Sequence, residues 1–220
     1  MERFKSLVIH PFFITGWLAL MTLCYFYVDR IVAKFFHSLE HSFWFEAAQT
    51  ITAFGKGQYI IIPSIIFLIM AYCLLKNKQL SLYALFLVAC ATIPGLITTV
   101  IKIIVGRPRP SMYFYHDQYG FLFFETQAIY WSLPSGHATS ITGFMMALSL
   151  LKPRGWPLIF MGIALLISLT RVTTFVHFVS DVMAGMLLGA ITTIFIHKLF
   201  VKRYGMPAQF DWQLTFKKSL

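Results

Sequence analysis

Six long apolar runs constrain the fold of this chain more than any other feature of its sequence. Each run is long enough to cross the hydrocarbon core of a bilayer as a helix, which takes about 20 residues. Hydrophobic residues make up 58% of the chain and charged residues 12%, a balance that excludes an ordinary soluble domain. The sequence therefore predicts an all-α, polytopic membrane protein with six transmembrane helices in a single domain over residues 1–220. The runs cover approximately residues 11–28, 58–75, 80–105, 134–154, 155–175 and 178–196.

The segment between the first and second runs, residues 29–57, mixes aromatic and charged side chains. Phe43, Trp44 and Phe45 lie close in sequence to His41 and Glu46. An apolar face beside a charged face is typical of a helix that lies in the membrane interface. We therefore predict an interfacial amphipathic helix after the first span, and not a further transmembrane helix.

The basic residues predict how the chain is oriented. The formal net charge is +10, and the basic residues cluster at the ends of the apolar runs, so they indicate topology and lipid headgroups, not nucleic acid. The side richer in lysine and arginine should be cytoplasmic, which places both termini inside. No small-residue cleavage site follows the first run, so we expect it to stay as an anchor. The cytoplasmic set is Arg3, Lys5, Lys76, Lys78, Lys152, Arg154 and the basic tail, and the outer set is Arg30, Lys34, Lys56, Lys102, Arg107, Arg109 and Arg171.

Residues 170–181 place an arginine, a histidine and an aspartate inside an otherwise apolar sequence. If the segment from His177 onward is helical, His177 and Asp181 are one turn apart on the same face. The aspartate could then accept the proton of one ring nitrogen and leave the other nitrogen free to react. The alternative is a simple cluster of charges at a helix end on the membrane surface.

A second group of charges lies near the end of the third run. Lys102, Arg107 and Arg109 form a cationic stretch in which prolines follow both arginines. The planar fork of arginine suits a phosphate, and lysine adds a point charge. The alternative is a basic helix cap whose side chains extend to lipid headgroups.

The fourth run opens with Pro134, Ser135, Gly136 and His137. Backbone N–H groups at a helix N-terminus form an anion site, and glycine permits a close approach. Ser135 adds a hydroxyl donor, and His137 is placed to exchange a proton with a bound group. The alternative is a turn with a serine cap.

Together, the three stretches contain the groups that hydrolysis of a phosphoester by a histidine nucleophile requires. The attacking imidazole must be neutral and oriented, the leaving oxygen needs a proton, and the charge on phosphorus must be neutralised. The candidate site has one carboxylate and four cations, whereas a two-metal site would need several acidic ligands. We therefore expect a reaction without a metal or other cofactor.

These motifs resemble the three-part signature of the type 2 phosphatidic acid phosphatase superfamily. The resemblance runs from Lys102 to Asp181, and it implies that His177 is the nucleophile that forms a phosphohistidine and that Asp181 orients it. It also implies that His137 is the general acid. Thr170 stands where the family usually has serine, so a hydroxyl is retained, and the role of Arg107 is left open. The phosphate-binding residues that the resemblance implies are Lys102, Arg109, Ser135, Gly136 and Arg171.

The resemblance implies an integral-membrane lipid phosphatase. We expect a bacterial inner-membrane protein whose site faces the periplasm or exterior and which needs no obligate protein partner. The candidate substrates are a polyprenyl diphosphate such as undecaprenyl diphosphate, phosphatidylglycerol phosphate, phosphatidate and a lipid A phosphate. The segment 29–57 and the aromatic loop 106–133 are expected to shape access of the headgroup.

Two other classes of function remain as alternatives. A lipid-to-lipid phosphotransferase would share the fold and the intermediate and differ only in the acceptor. A transporter or flippase is disfavoured because the charges lie toward one membrane face, none lies near the middle of a span, and no internal repeat is present. A catalytically dead scaffold is less consistent still, since every expected catalytic position is filled.

Overall fold

The computed structural model describes residues 2–151 and 156–207, and this part of the chain is all-α, as predicted. Short π-helical turns at Cys24–Val28 and Met70–Leu74 and 3₁₀ turns at Ala53–Gly55 and Ala128–Tyr130 interrupt or connect the helices. The α-helices are α1 Glu2–Val8, α2 Pro11–Leu23, α3 Asp29–Ser38, α4 Phe43–Thr52, α5 Gly57–Ile69, α6 Lys78–Val105, α7 Pro110–His116, α8 Gly136–Leu151, α9 Trp156–Thr173 and α10 Val179–Tyr204.

Five helical stretches in the described residues are long and apolar enough to cross a membrane. They are Pro11–Ser38, Phe43–Leu74, Lys78–Val105, Trp156–Thr173 and Val179–Tyr204. The fourth predicted span corresponds to α8, which has 16 residues as described, and the end of that run, residues 152–154, lies outside the described residues. The count of six transmembrane helices therefore stays a prediction.

The segment 29–57 differs from the single interfacial helix that we predicted. It contains two helices, α3 and α4, and each continues a neighbouring apolar stretch. The predicted first span ended at residue 28, just before Asp29. Asp29 is instead fully buried and paired, so α2 continues through the π-helical turn into α3. The break comes later, where the hydroxyl of Ser42 accepts the N–H of Phe45 at 3.3 Å and caps α4.

Helices α8 and α10 make a close backbone contact at the centre of the molecule. A Cβ atom at Gly185 would lie 2.5 Å from the carbonyl oxygen of Ser135, and one at Gly189 would lie 2.4 Å from that of Thr139. Two glycines four residues apart are a familiar way to bring membrane helices together. The hydroxyl of Thr193 also donates to the carbonyl of Gly143 at 3.1 Å. This contact holds the first turn of α8 beside the first turn of α10.

The largest hydrophobic core lies between α6, α8 and α10, toward the helix ends opposite the three polar motifs of the sequence. It includes Phe86, Met146, Leu150 and Ile194, all fully buried. Large apolar side chains on the outer faces of the long helices are exposed, as expected for surfaces that contact lipid. The packed core and the glycine contact together bring the polar ends of four helices to one end of the bundle.

Candidate active site

The three predicted motifs meet at one end of the molecule. Lys102 lies near the end of α6, and its Nζ donates to the carbonyl of Trp131 at 2.5 Å. The N–H of Ser135, just before α8, donates to the carbonyl of Asp181 in the first turn of α10 at 2.9 Å. A Cβ atom on Gly136 would lie 3.8 Å from Cε of Lys102. Residues from separate parts of the chain therefore form one polar cluster.

His177 lies in the short connection between α9 and α10. Its N–H donates to the carbonyl of Arg171 at 3.1 Å, so the end of α9 positions its backbone. Burial lowers the pKa of His177 to about 3, and the charges of Lys102 and Arg171 act in the same direction, against the opposing effect of Asp181. The imidazole is therefore neutral at neutral pH, which is the form that a nucleophile requires.

The carboxylate of Asp181 faces the imidazole of His177. Nδ1 of His177 lies 3.7 Å from Oδ2 of Asp181, which is longer than a hydrogen bond. The same carboxylate accepts the hydroxyl of Ser132 at 2.5 Å and the N–H of Phe178 at 2.9 Å, both through Oδ2. Such contacts often tighten when substrate binds. Asp181 is thus held beside Nδ1, and its orienting role stays a prediction.

Three predicted phosphate-binding cations surround this pair, and each is held by a polar group of the protein. Arg109 donates through Nε to the carbonyl of Ala128 at 3.1 Å, and burial lowers the pKa of Arg109. Arg171 donates through Nη1 to the hydroxyl of Thr52 at 3.0 Å. Lys102, Arg109 and Arg171 lie close enough to repel one another, so an anion between them would be stabilised.

The start of α8 supplies the remaining predicted site residues. The hydroxyl of Ser135 accepts the N–H of Ala138 at 3.5 Å, so the serine also caps the helix. The first N–H groups of α8 have no acceptor within the helix and can bind an anion. Nε2 of His137 is buried and has no hydrogen-bond partner among the described residues. That nitrogen is available for proton exchange with a bound group.

Comparison with known proteins gives the family. The model of the PAP2 superfamily matches residues 83–204, more than half of the chain. The chain belongs to the PAP2 superfamily. Together with the five long apolar stretches, this makes the chain an integral membrane protein.

Two relatives of this PAP2 chain are described as lipid A 1-phosphatases. The one from Rhizobium etli is 31% identical over 154 residues, which cover 66% of each chain. The one from Rhizobium johnstonii is 31% identical over 152 residues, 64% of this chain and 62% of the relative. The chain thus spans slightly less than two thirds of the length of both relatives.

A solved structure has the same fold. It is the crystal structure of a transmembrane PAP2-type phosphatidylglycerolphosphate phosphatase from Bacillus subtilis. The two chains are 19% identical in sequence, and the TM-score is 0.59. The likeness covers 90% of this chain and 98% of that one. At this level of identity it shows the PAP2 fold alone.

The sequence left the role of Arg107 open, and the structure places it behind the candidate site, in contact with Asp181. It is 1% exposed and donates to Oδ1 of Asp181 at 2.5 Å and to Oδ2 of Asp29 at 2.8 Å. Sequence reasoning also missed Asp29. The available signal was that Asp29 is the only acidic residue between Glu2 and Glu40 and adjoins an apolar run.

Two residues of the segment 29–57 also reach the candidate site. Thr52 accepts a hydrogen bond from Arg171, and Lys56 lies close enough to His137 for its positive charge to disfavour protonation of that ring. Sequence reasoning missed both, because it expected this interfacial segment only to shape access of the headgroup. Thr170, the departure from the usual serine, donates to the carbonyl of Ile167 at 2.6 Å, so its hydroxyl is used within α9.

Proposed function

We propose that this PAP2 protein is a lipid phosphatase that cleaves a phosphate ester or diphosphate of a lipid through a phosphohistidine at His177. The observation that carries the proposal is a buried, neutral His177 that faces the anchored carboxylate of Asp181. The cations Lys102, Arg109 and Arg171 next to this pair support it, because a phosphoryl group carries negative charge throughout its transfer.

In the first step, Nε2 of His177 attacks phosphorus and the bond from phosphorus to the lipid oxygen breaks. His137, whose protonated form is favoured by the negative charge of the bound phosphate, donates a proton to that oxygen, so the lipid leaves as a neutral alcohol, or as a monophosphate when the substrate is a diphosphate. Asp181 accepts a hydrogen bond from the protonated Nδ1 of His177 and stabilises the positive charge that develops on the ring. The three cations, Ser135 and the first N–H groups of α8 stabilise the charge on the phosphoryl oxygens.

In the second step, water attacks the phosphohistidine. His137, now unprotonated, accepts a proton from the water, and the phosphorus–nitrogen bond breaks to release inorganic phosphate and neutral His177. The step needs no further reactant. We expect it to proceed without a metal ion.

The lipid that we propose first is a lipid A phosphate, because the two curated relatives are lipid A 1-phosphatases at 31% identity. Undecaprenyl diphosphate, phosphatidylglycerol phosphate and phosphatidate follow as candidates. Consistent with these substrates, we propose a location in a bacterial inner membrane, with the site on the periplasmic side and both termini in the cytoplasm.

The test is phosphate release from these four lipids by the detergent-purified protein, with and without EDTA. We expect release that survives EDTA and is abolished by His177→Ala. The matched control is His116→Ala, which removes an exposed histidine at the end of α7 and should leave release unchanged. The lipid that is cleaved fastest would identify the substrate class.

Absence of release from all four lipids would contradict simple hydrolysis. The same protein would then be given each lipid phosphate together with a second lipid that carries a free hydroxyl or phosphate. Transfer of the phosphoryl group between lipids that depends on His177 would establish the phosphotransferase alternative, since only the acceptor differs.

A further inference from the structure

Behind the catalytic pair lies a buried chain of charges that the proposed reaction steps do not use. The guanidinium of Arg107 joins Asp181 and Asp29 through different nitrogens, Nη1 to Asp181 and Nη2 to Asp29. Asp29 accepts in addition the N–H of Ser180 at 2.9 Å and the hydroxyl of Ser180. The chain therefore runs from α3 through the loop after α6 to the first turn of α10.

Aromatic rings enclose the guanidinium of Arg107. Its Cζ atom lies 4.6 Å from the ring centre of Phe178, 4.9 Å from Tyr25, 5.4 Å from Tyr119 and 5.8 Å from Phe121. Rings at these distances attract a cation and keep water away from it. The low local polarity strengthens the attraction between Arg107 and the two carboxylates.

The pairing matters because an ionised Asp181 accepts a strong hydrogen bond from Nδ1–H of His177 and stabilises positive charge on that ring. A buried carboxylate without a positive partner takes up a proton, and His177 would then lose its anionic acceptor. The partner that touches Asp181 directly is Arg107, at 2.5 Å. Burial disfavours the charged form of Arg107, yet Asp181 and Asp29 outweigh it, so the pKa of Arg107 lies above its ordinary value.

Several other ionisable groups face Asp181 and His177 and also influence their protonation. Substitution of Arg107 leaves these groups in place, so the resulting change in the pH profile can be assigned to Arg107. They are Lys102 on α6, Arg109 and Tyr119 in the region after α6, His177 itself, Arg171 on α9 beside His177, and Asp29 on α3, which acts through Arg107.

We infer that Arg107 is a positioning residue of this site, which keeps Asp181 ionised and aimed at His177, and that Asp29 anchors Arg107 from the first long helix. The inference rests on the proposed function, in which Asp181 orients the nucleophile. Arg107 itself is not placed to touch the substrate, since both of its terminal nitrogens are directed at buried carboxylates.

The test compares Arg107→Met, Arg107→Lys and Asp29→Asn in the full-length protein. In Arg107→Met the acid limb of the pH profile for kcat should move up by about one to three pH units, the usual effect of an adjacent opposite charge. Arg107→Lys keeps the charge and should return the limb toward the wild-type position. Asp29→Asn removes a negative charge near Asp181, so its limb should not move up.

A purely structural role predicts a different pattern. All three variants would then lose thermal stability and activity by similar factors at every pH, with the acid limb unmoved, and that result would overturn the inference. If Arg107→Met does not fold, Arg107→Gln removes the charge while keeping a hydrogen-bond donor and serves in its place.

A second readout does not depend on hydrolysis. In protein labelled with ¹⁵N-histidine, with the His177 signals assigned by their loss in His177→Asn, Nδ1 of His177 should carry the proton at neutral pH. The charge-neutral Arg107 variant should shift the proton toward Nε2. An unchanged tautomer in the charge-neutral Arg107 variant would overturn the inference even if the enzyme is fully active. If the tautomer changes as expected but the wild-type protein releases no phosphate, the result contradicts the proposed function alone.

Discussion

The imidazole of His177 is almost completely shielded from water, and this burial decides its charge. A histidine in water titrates near pH 6.5. In this site burial lowers the pKa of His177 to about 3. Between those two values the folded protein keeps the ring neutral, while the unfolded chain would protonate it, so acidification favours the unfolded state over this range. A neutral nucleophile at mildly acidic pH therefore comes at the expense of acid stability.

This protonation state predicts how phosphoryl transfer to His177 depends on pH. In single-turnover experiments the rate of phosphoenzyme formation should stay nearly constant from pH 7 down to about pH 5, because the ring is neutral throughout. An exposed histidine would lose more than nine tenths of its neutral form over that range. A rate that falls with a midpoint near pH 6.5 would contradict the buried, neutral nucleophile.

The unpartnered Nε2 of His137 predicts an effect that depends on the leaving group. His137→Ala should slow phosphoenzyme formation from a lipid phosphate by roughly 10²–10⁴-fold, the usual contribution of a general acid. With p-nitrophenyl phosphate, whose leaving group needs no proton, the burst of p-nitrophenol should keep most of its rate. Equal losses for the two substrates would exclude the general-acid role.

At this scale the sequence predicted the residues that meet in the cluster, because their side chains and spacing carried the chemistry directly. Lys102, Ser135 and Asp181 are examples, and the structure connects all three. The sequence did not predict that Arg107 pairs with Asp29. Those residues are 78 positions apart, and no local pattern relates a loop arginine to a helical aspartate.

At the scale of helices, the contact of α8 with α10 depends on the absence of side chains at two glycines. Apolar run length predicted both helices, but it could not predict which faces approach. The same limit explains the segment 29–57, where the first long helix continues past Asp29 because the distant Arg107 pairs with its buried carboxylate. Local hydrophobicity therefore located the helices, while a partner distant in sequence allowed the first long helix to continue past a charged residue.

The glycine contact predicts a strong effect of a single methyl group. Gly189→Ala would place a Cβ atom 2.4 Å from the carbonyl oxygen of Thr139, so the helices must move apart. We expect a loss of about 1–3 kcal/mol in stability, as for other overpacked sites, and a lower melting temperature in detergent.

The matched control is Gly162→Ala on α9, where a Cβ atom would meet nothing within 4 Å. Alanine is about 1 kcal/mol better than glycine inside a helix, so this variant should melt at the same or a higher temperature. Similar destabilisation by both substitutions would show that the α8–α10 contact is not the cause.

At the scale of the whole molecule, the ends of α6 and α9 and the starts of α8 and α10 come together. If α8 also crosses the bilayer, as the sequence predicts, these ends lie on the same side of it. Apart from the residues of the candidate site, that side also carries the fewer basic residues in the predicted topology. The polar cluster thus occupies one face of the protein, and the predicted orientation assigns that face to the exterior.

This orientation predicts which positions an impermeant reagent can reach in intact cells. In a variant with the native cysteines replaced by alanine, Tyr115→Cys in α7 should react with an impermeant maleimide from outside. Lys78→Cys, at the start of α6, should react only after lysis. Both native side chains are exposed in the fold, so accessibility depends on the side of the membrane. The reverse pattern would invert the topology.

Two pairings limit how small a functional fragment of this protein can be. They join Arg107 to Asp29 and Arg171 to Thr52. The family match begins at residue 83, after both Asp29 and Thr52. A fragment cut at that boundary would keep every residue of the signature, yet Arg107 would lose one of its two carboxylates and Arg171 would lose its hydroxyl acceptor. The first two long helices therefore supply partners to residues of the candidate site, and the signature region alone would lack them.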